Sequence, residues 1–191
     1  MSVWSGIFAA AHHNCRRRGE FDKTSPTVTL ATAALSYRVD QRINVTCMAS
    51  DALSGIASHT CSTTAVTNIP AYTFGVGAET LSASATDLAG NTAKASITFS
   101  VVATPGSLCA LTKQFVQSSS KYQALAPGQK TGIDKLADAL CSTLAAIVPK
   151  LRPDQKARLV AAYVKSVVEL STQGWLTGQQ AMILRDLSAG L

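Results

Sequence analysis

Histidine is scarce in this chain. There are three in 191 residues, His12 and His13 side by side and His59 alone. With so few imidazoles and no Gly-x-Ser-x-Gly elbow, the usual arrangements for base and nucleophile catalysis are missing. No Cys-x-x-Cys pair occurs, so zinc-ribbon and thioredoxin-like readings lapse. His12-His13-Asn14-Cys15 fits no metal-ligand spacing. Gly75-Val76-Gly77-Ala78-Glu79-Thr80 lacks the third glycine of a dinucleotide fingerprint, and Gly128-Gln129-Lys130-Thr131 has no upstream glycine at phosphate-loop spacing. An enzyme is therefore not expected. Aromatic residues make up 6% of the chain and are not interleaved with basic ones, which argues against nucleic acid. No apolar run reaches the length of a membrane span. Charged residues amount to 15%, low for a cytosolic protein.

What the chain has is a clear strand period. Residues two apart on a strand share a face. In residues 43–50, Ile43, Val45, Cys47 and Ala49 fall on one side and Asn44, Thr46, Met48 and Ser50 on the other. Residues 93–101 repeat the pattern, with Ala93, Ala95, Ile97, Phe99 and Val101 inward and Lys94, Ser96, Thr98 and Ser100 outward. Further strands are expected at residues 27–30, 56–61, 72–74 and 81–86. Turns fall at Asp51–Gly55 and Asp87–Asn91, where Asp and Ser bond nearby amides and Gly supplies a positive φ.

The runs Asp51-Ala52-Leu53-Ser54-Gly55-Ile56 and Asp87-Leu88-Ala89-Gly90-Asn91 carry a resemblance. They match the D-x-x-S-G-I and D-x-A-G-N signatures of bacterial Ig-like repeats over residues 25–102. The resemblance implies a β-sandwich module of a secreted or surface protein, serving as spacer, scaffold or adhesin. Antibody-type domains fit less well, since this segment has no core Trp.

Beyond Thr104-Pro105-Gly106 the period becomes helical. Leu108, Leu111, Phe115 and Val116 form one stripe; Ile133, Leu136, Ala137, Leu140, Cys141, Leu144 and Val148 form a second. Leu159, Val160, Tyr163, Val164, Val167 and Leu170 form a third, and Ile183, Leu184 and Leu187 a fourth. Thr131 and Thr177 stand at helix starts by capping-box spacing, Pro153 suits a first helical turn, and Gly174 follows a helix end. Gly174-Trp175-Leu176-Thr177 with Gln180-Ala181 resembles the helical FIMAH module of secreted bacterial proteins, which is non-catalytic and often follows Ig-like repeats. The expected fold is thus two domains, an all-β Ig-like sandwich followed by an all-α antiparallel four-helix bundle. Its segments are a disordered or irregular leader at 1–25, the sandwich at 26–102, a linker at 103–107 and the bundle at 108–191.

Five cysteines suit an oxidising compartment, and pairing within segments joins Cys47 to Cys61 and Cys109 to Cys141, leaving Cys15 over. The alternative is five buried free thiols. Localisation is expected to be extracellular or at the cell surface, although Arg16-Arg17-Arg18 follows the short apolar stretch of the leader, the reverse of a secretory signal.

The +6 net charge sits on the flanks, since residues 26–102 hold three basic and four acidic side chains. Lys150, Arg152, Lys156 and Arg158 gather between the second and third helical stripes. They are either a solvated face or an anion-binding patch for cell-wall or extracellular glycan. Asp51 and Asp87, with Asp40 as a third candidate, raise calcium as a ligand, since hard cations take carboxylate oxygens at turns. The structural Asx-turn is the favoured reading and no cofactor is expected. Asn44-Val45-Thr46 forms a glycosylation sequon. Two functions follow: a non-catalytic accessory, spacer or adhesion module, with a catalytic domain elsewhere in a longer protein as one partner, or a small secreted effector that binds anionic glycan or inhibits an enzyme through the basic helical face.

Overall fold

The computed structural model describes residues 22–147 and 150–191. The expectations for the leader up to residue 21, Cys15 included, and for Val148 lie outside these residues.

The first half of the chain alternates strands, as the period of two requires. β1 (Thr27–Thr32), β3 (Arg42–Ser50) and β5 (Val66–Pro70) form a three-stranded sheet in the order β1-β3-β5. β2 (Ser36–Arg38), β4 (Ile56–His59), β6 (Gly77–Asp87) and β7 (Thr92–Val102) form a second in the order β2-β7-β6-β4. Ile43 and Val45 of the first sheet meet Phe99 and Val101 of the second in one core, all at 1% exposure or less. The inward residues read from β3 and β7 are buried or half-buried and the outward ones exposed, except Ser100, which is half-buried.

The expected all-β Ig-like sandwich followed by a four-helix bundle does not hold. The second sheet is mixed, because β2 runs parallel to β7, with Ser36 opposite Ser100 and Arg38 opposite Val102. Three residues are too few to show a period, so the sequence hid this edge strand. Helices also interrupt the strand half. Cys61, read as a strand residue, begins the one-turn helix α1 (Cys61–Thr64). Tyr72-Thr73-Phe74, read as a short strand, belongs to the 3-10 turn Ala71–Phe74, held by Gly75 N–H donating to the Tyr72 carbonyl at 3.2 Å. Pro70 at φ −61° and Gly75 at φ +77° bound it, conformations native to those residues.

Among the described residues the second half has five helices where four stripes were read: α2 (Pro105–Ser118), α3 (Ser120–Gln123), α4 (Pro127–Ala145), α5 (Pro153–Thr172) and α6 (Gly178–Ser188). Ser119 breaks α2 from α3 by taking an extended conformation and accepting from Tyr122 N–H. Thr131 caps nothing, since α4 already begins at Pro127. Of residues 103–107, the last three open α2. Thr104 and Ser107 form a reciprocal capping box, with Pro105 in the first turn of α2. A single apolar cluster extends through both halves, joined where the Tyr72 and Phe115 rings meet edge to face at 5.3 Å.

Both disulfides expected from the sequence are present. Cys47–Cys61 ties β3 to the start of α1, and Cys109–Cys141 ties α2 to α4, each with Cα atoms 5.1 Å apart. Among the described residues no helix is long and apolar enough to cross a membrane.

The helical core closes on Tyr163 of α5, whose side chain has no exposure and whose hydroxyl lies 2.8 Å from Thr112 Oγ1 on α2. Thr112 Oγ1 in turn donates to the Leu108 carbonyl at 2.8 Å. Burial pushes the Tyr163 phenol up to about 12, outweighing the Thr112 hydrogen bond, from the ordinary value of 10.0. The unfolded chain therefore gives up this proton first. Stability should be intact below about pH 10 and fall by about 2–3 kcal/mol as pH rises toward 12. Tyrosinate absorbance should show one of the four tyrosines ionising only as the helical signal is lost. Tyr163→Phe should remove that late step; a late step that persists in the variant assigns it elsewhere.

Candidate metal centre

The two motif turns lie together at one end of the paired sheets. β3 ends at Ser50, and the next residue, Asp51, turns its carboxylate back over the loop. Asp51 Oδ1 accepts the backbone N–H of Leu53 at 3.1 Å, Ser54 at 2.8 Å and Gly55 at 2.9 Å, and the Ser54 hydroxyl at 3.2 Å. Gly55 sits at φ +80°, the left-handed region that a side chain resists. This is an Asx-turn with three backbone amides and one hydroxyl converging on one oxygen.

Asp87 ends β6 and governs the hairpin to β7 in the same manner. Its Oδ1 accepts Asn91 N–H at 2.8 Å, and its Oδ2 accepts the Asn91 side-chain amide at 2.8 Å. The two loops are bonded to each other as well, Leu88 N–H donating to the Gly55 carbonyl at 3.0 Å. The fixed positions of both signatures thus build one constellation. Asn91 extends it to the segment before β1, its Nδ2 donating to the carbonyls of Asp22 at 2.9 Å and Thr24 at 3.2 Å.

That last contact brings in a residue the sequence reading left in the leader. Asp22, Asp51 and Asp87 each offer a carboxylate oxygen, and the three oxygens lie within 4.8 Å of one another. Asp22 and Asp51 are half-buried and Asp87 is 1% exposed. Asp22 Oδ1 accepts Thr24 N–H at 2.8 Å. Asp22 Oδ2 is closed off from solvent and, among the described residues, has no hydrogen-bond partner. The hydrogen bond from the Thr24 backbone, with help from Ser54, holds the Asp22 carboxyl below the usual carboxylate range. Burial alone would raise Asp87, yet the Asn91 side chain and backbone, the Ala89 backbone and Ser54 outweigh it, and this carboxyl too lies below its ordinary value. Among the described residues none of the three carboxylates forms an ion pair with Lys or Arg.

Asp40, the third calcium candidate of the sequence, is not part of this group. It pairs with Arg38 at 3.1 Å. No pattern in the sequence marks Asp22, because it precedes the first strand and only the fold sets it beside the turns. Of the basic cluster, Arg152 is the N-cap residue of α5 and pairs with Asp154 at 3.6 Å. Lys156 and Arg158 are two positions apart on α5, a spacing that sends side chains to different helix faces. Lys150, Arg152 and Arg158 are exposed and Lys156 is half-buried.

The Gly174-Trp175 motif is a helix stop. Gly174, at φ +78°, donates its N–H to the Ser171 carbonyl at 3.0 Å and Trp175 donates to Leu170 at 2.9 Å, the paired bonds of a Schellman ending. Lys121 Nζ lies 4.2 Å from the Trp175 ring centre and donates to the Gln173 carbonyl at 2.6 Å, where the helix dipole favours a cation. Compared with family models, with curated proteins and with solved structures, the chain matches none.

Proposed function

We propose that this chain is a non-catalytic accessory or spacer module of a secreted or cell-surface protein. The observation that carries the reading is the use to which the signature residues are put. Asp51, Ser54, Gly55, Asp87 and Asn91 lock two loops to each other and to the segment leading into β1. Such a lock serves a module that must hold its shape at a junction. Two disulfides, one in each half, support an oxidising compartment. Low charge and the polar Ser and Thr faces of β6 and β7 fit an extracellular surface.

A glycan array tests this reading against the effector alternative. The native protein should bind no more strongly than a variant with Lys150, Arg152, Lys156 and Arg158 all changed to Ala. Saturable binding to anionic glycans that the variant loses would transfer the function to the basic helical face.

A further inference from the structure

We infer that Asp22, Asp51 and Asp87 form a binding site for one hard divalent cation of the calcium class. The inference goes beyond the spacer reading and does not need it. Three carboxylate oxygens within 4.8 Å of one another match an ion bonded at 2.3–2.6 Å, whose opposite ligands stand about 4.6–5.2 Å apart. Magnesium holds oxygens at 2.0–2.1 Å in a stricter octahedron and suits this spacing less well. The donor set contains no nitrogen or sulfur, which disfavours zinc and the softer metals.

The second observation is independent of the clustering. Asp22 Oδ2 is buried and receives no hydrogen bond among the described residues. A shielded carboxylate oxygen without a donor is unstable as it stands, and a cation supplies what it lacks. The other two carboxylates retain acceptor capacity. The four donors on Asp51 converge on Oδ1 and leave Oδ2 available, and each Asp87 oxygen accepts a single bond from Asn91, below the two that a carboxylate oxygen can take. An open cleft lined by Asp22, Lys23, Thr24, Leu53 and Leu88 borders the group on its Asp22 side.

The ligands come from three separate places: the segment before β1, the loop after β3 and the β6–β7 hairpin. An ion there would clamp that leading segment onto the module.

The test uses the full chain, stripped with chelator and titrated with calcium chloride by calorimetry, with magnesium chloride in parallel. One calcium per chain should bind with a dissociation constant of about 0.1–1 mM, the range of extracellular modules. Melting temperature should rise with calcium as mass action requires. Asp51→Asn keeps an Oδ1 acceptor for the three turn amides, and Asp22→Asn keeps one for Thr24. Both should fold, as circular dichroism will verify, and both should weaken calcium binding at least tenfold. Absence of binding by the native chain at 10 mM calcium, on the order of ten times the weakest expected constant, overturns the site. So does undiminished binding by folded Asp22→Asn, which would place the ion elsewhere. A rise in melting temperature of the calcium-free protein on Asp22→Asn, with no calcium response in the native chain, overturns it too, since the carboxylates would then be merely repelling one another.

Discussion

Phe99→Ala should destabilise the protein by about 3–5 kcal/mol, the usual cost of emptying a large aromatic site in a packed core. Phe99 is 1% exposed and lies where three chain segments meet. Its ring stands edge-on to Tyr37 of β2 at 5.9 Å and to Phe74 of the 3-10 turn at 5.3 Å. Each such pair adds about 0.5–1.5 kcal/mol beyond the area it buries. Tyr37 is itself fixed, its hydroxyl 2.6 Å from Thr32 Oγ1 and accepting Ala34 N–H at 3.1 Å, so it cannot swing in to fill the gap. Urea unfolding measures the loss. Phe99→Leu keeps much of the volume and should cost less than half as much, which preserves a measurable protein if the alanine variant fails to fold. A loss below about 1 kcal/mol for Phe99→Ala would mean that the two sheets can collapse onto the site, contrary to the rigid neighbours described.

Phe99 also shows what kind of information the sequence carries. Its inward direction was legible because β7 is eleven residues long and alternates without a break. β3 was legible for the same reason. Tyr37, its partner, was not, because β2 spans three residues and borrows its hydrogen bonds from β7 rather than from a pattern of its own. β5 and α1 were missed on similar grounds: four or five residues cannot display a period. The 3-10 turn looked like a strand because Tyr72 and Phe74 are two apart and aromatic, yet the flanking Pro70 and Gly75 decide its backbone. In the helical half the apolar stripes located four helices, but Thr131 misplaced the start of α4, where Pro127 supplies the first turn. The candidate site was half legible. Turn chemistry identified Asp51 and Asp87, since an Asx-turn is a local event. Asp22 reaches them across the fold, through the Asn91 amide, and only tertiary structure could reveal it.

Replacing Cys109 and Cys141 together by Ser should cost about 3.7 kcal/mol, from the chain entropy released when a loop of 32 residues is no longer closed in the unfolded state. The Cys47–Cys61 loop, at a separation of 14, should be worth about 3.0 kcal/mol on the same basis. The native state should survive the first change. Leu108 and Leu111 of α2 and Leu140 and Leu144 of α4 remain buried in the common core, so helix contact does not depend on the bridge. Circular dichroism should therefore be unaltered while the urea midpoint falls. The denaturant slope should rise slightly, because an uncrosslinked unfolded chain exposes more surface. Reduction of the native protein should cost the sum of both bridges, about 6–7 kcal/mol, if the two loops act independently, as they should when they share no residues. Reduction of the double variant should then remove only the remaining 3.0 or so. A midpoint unmoved by the double substitution would show that α2 and α4 stay associated in the unfolded ensemble, leaving the bridge little entropy to restrict.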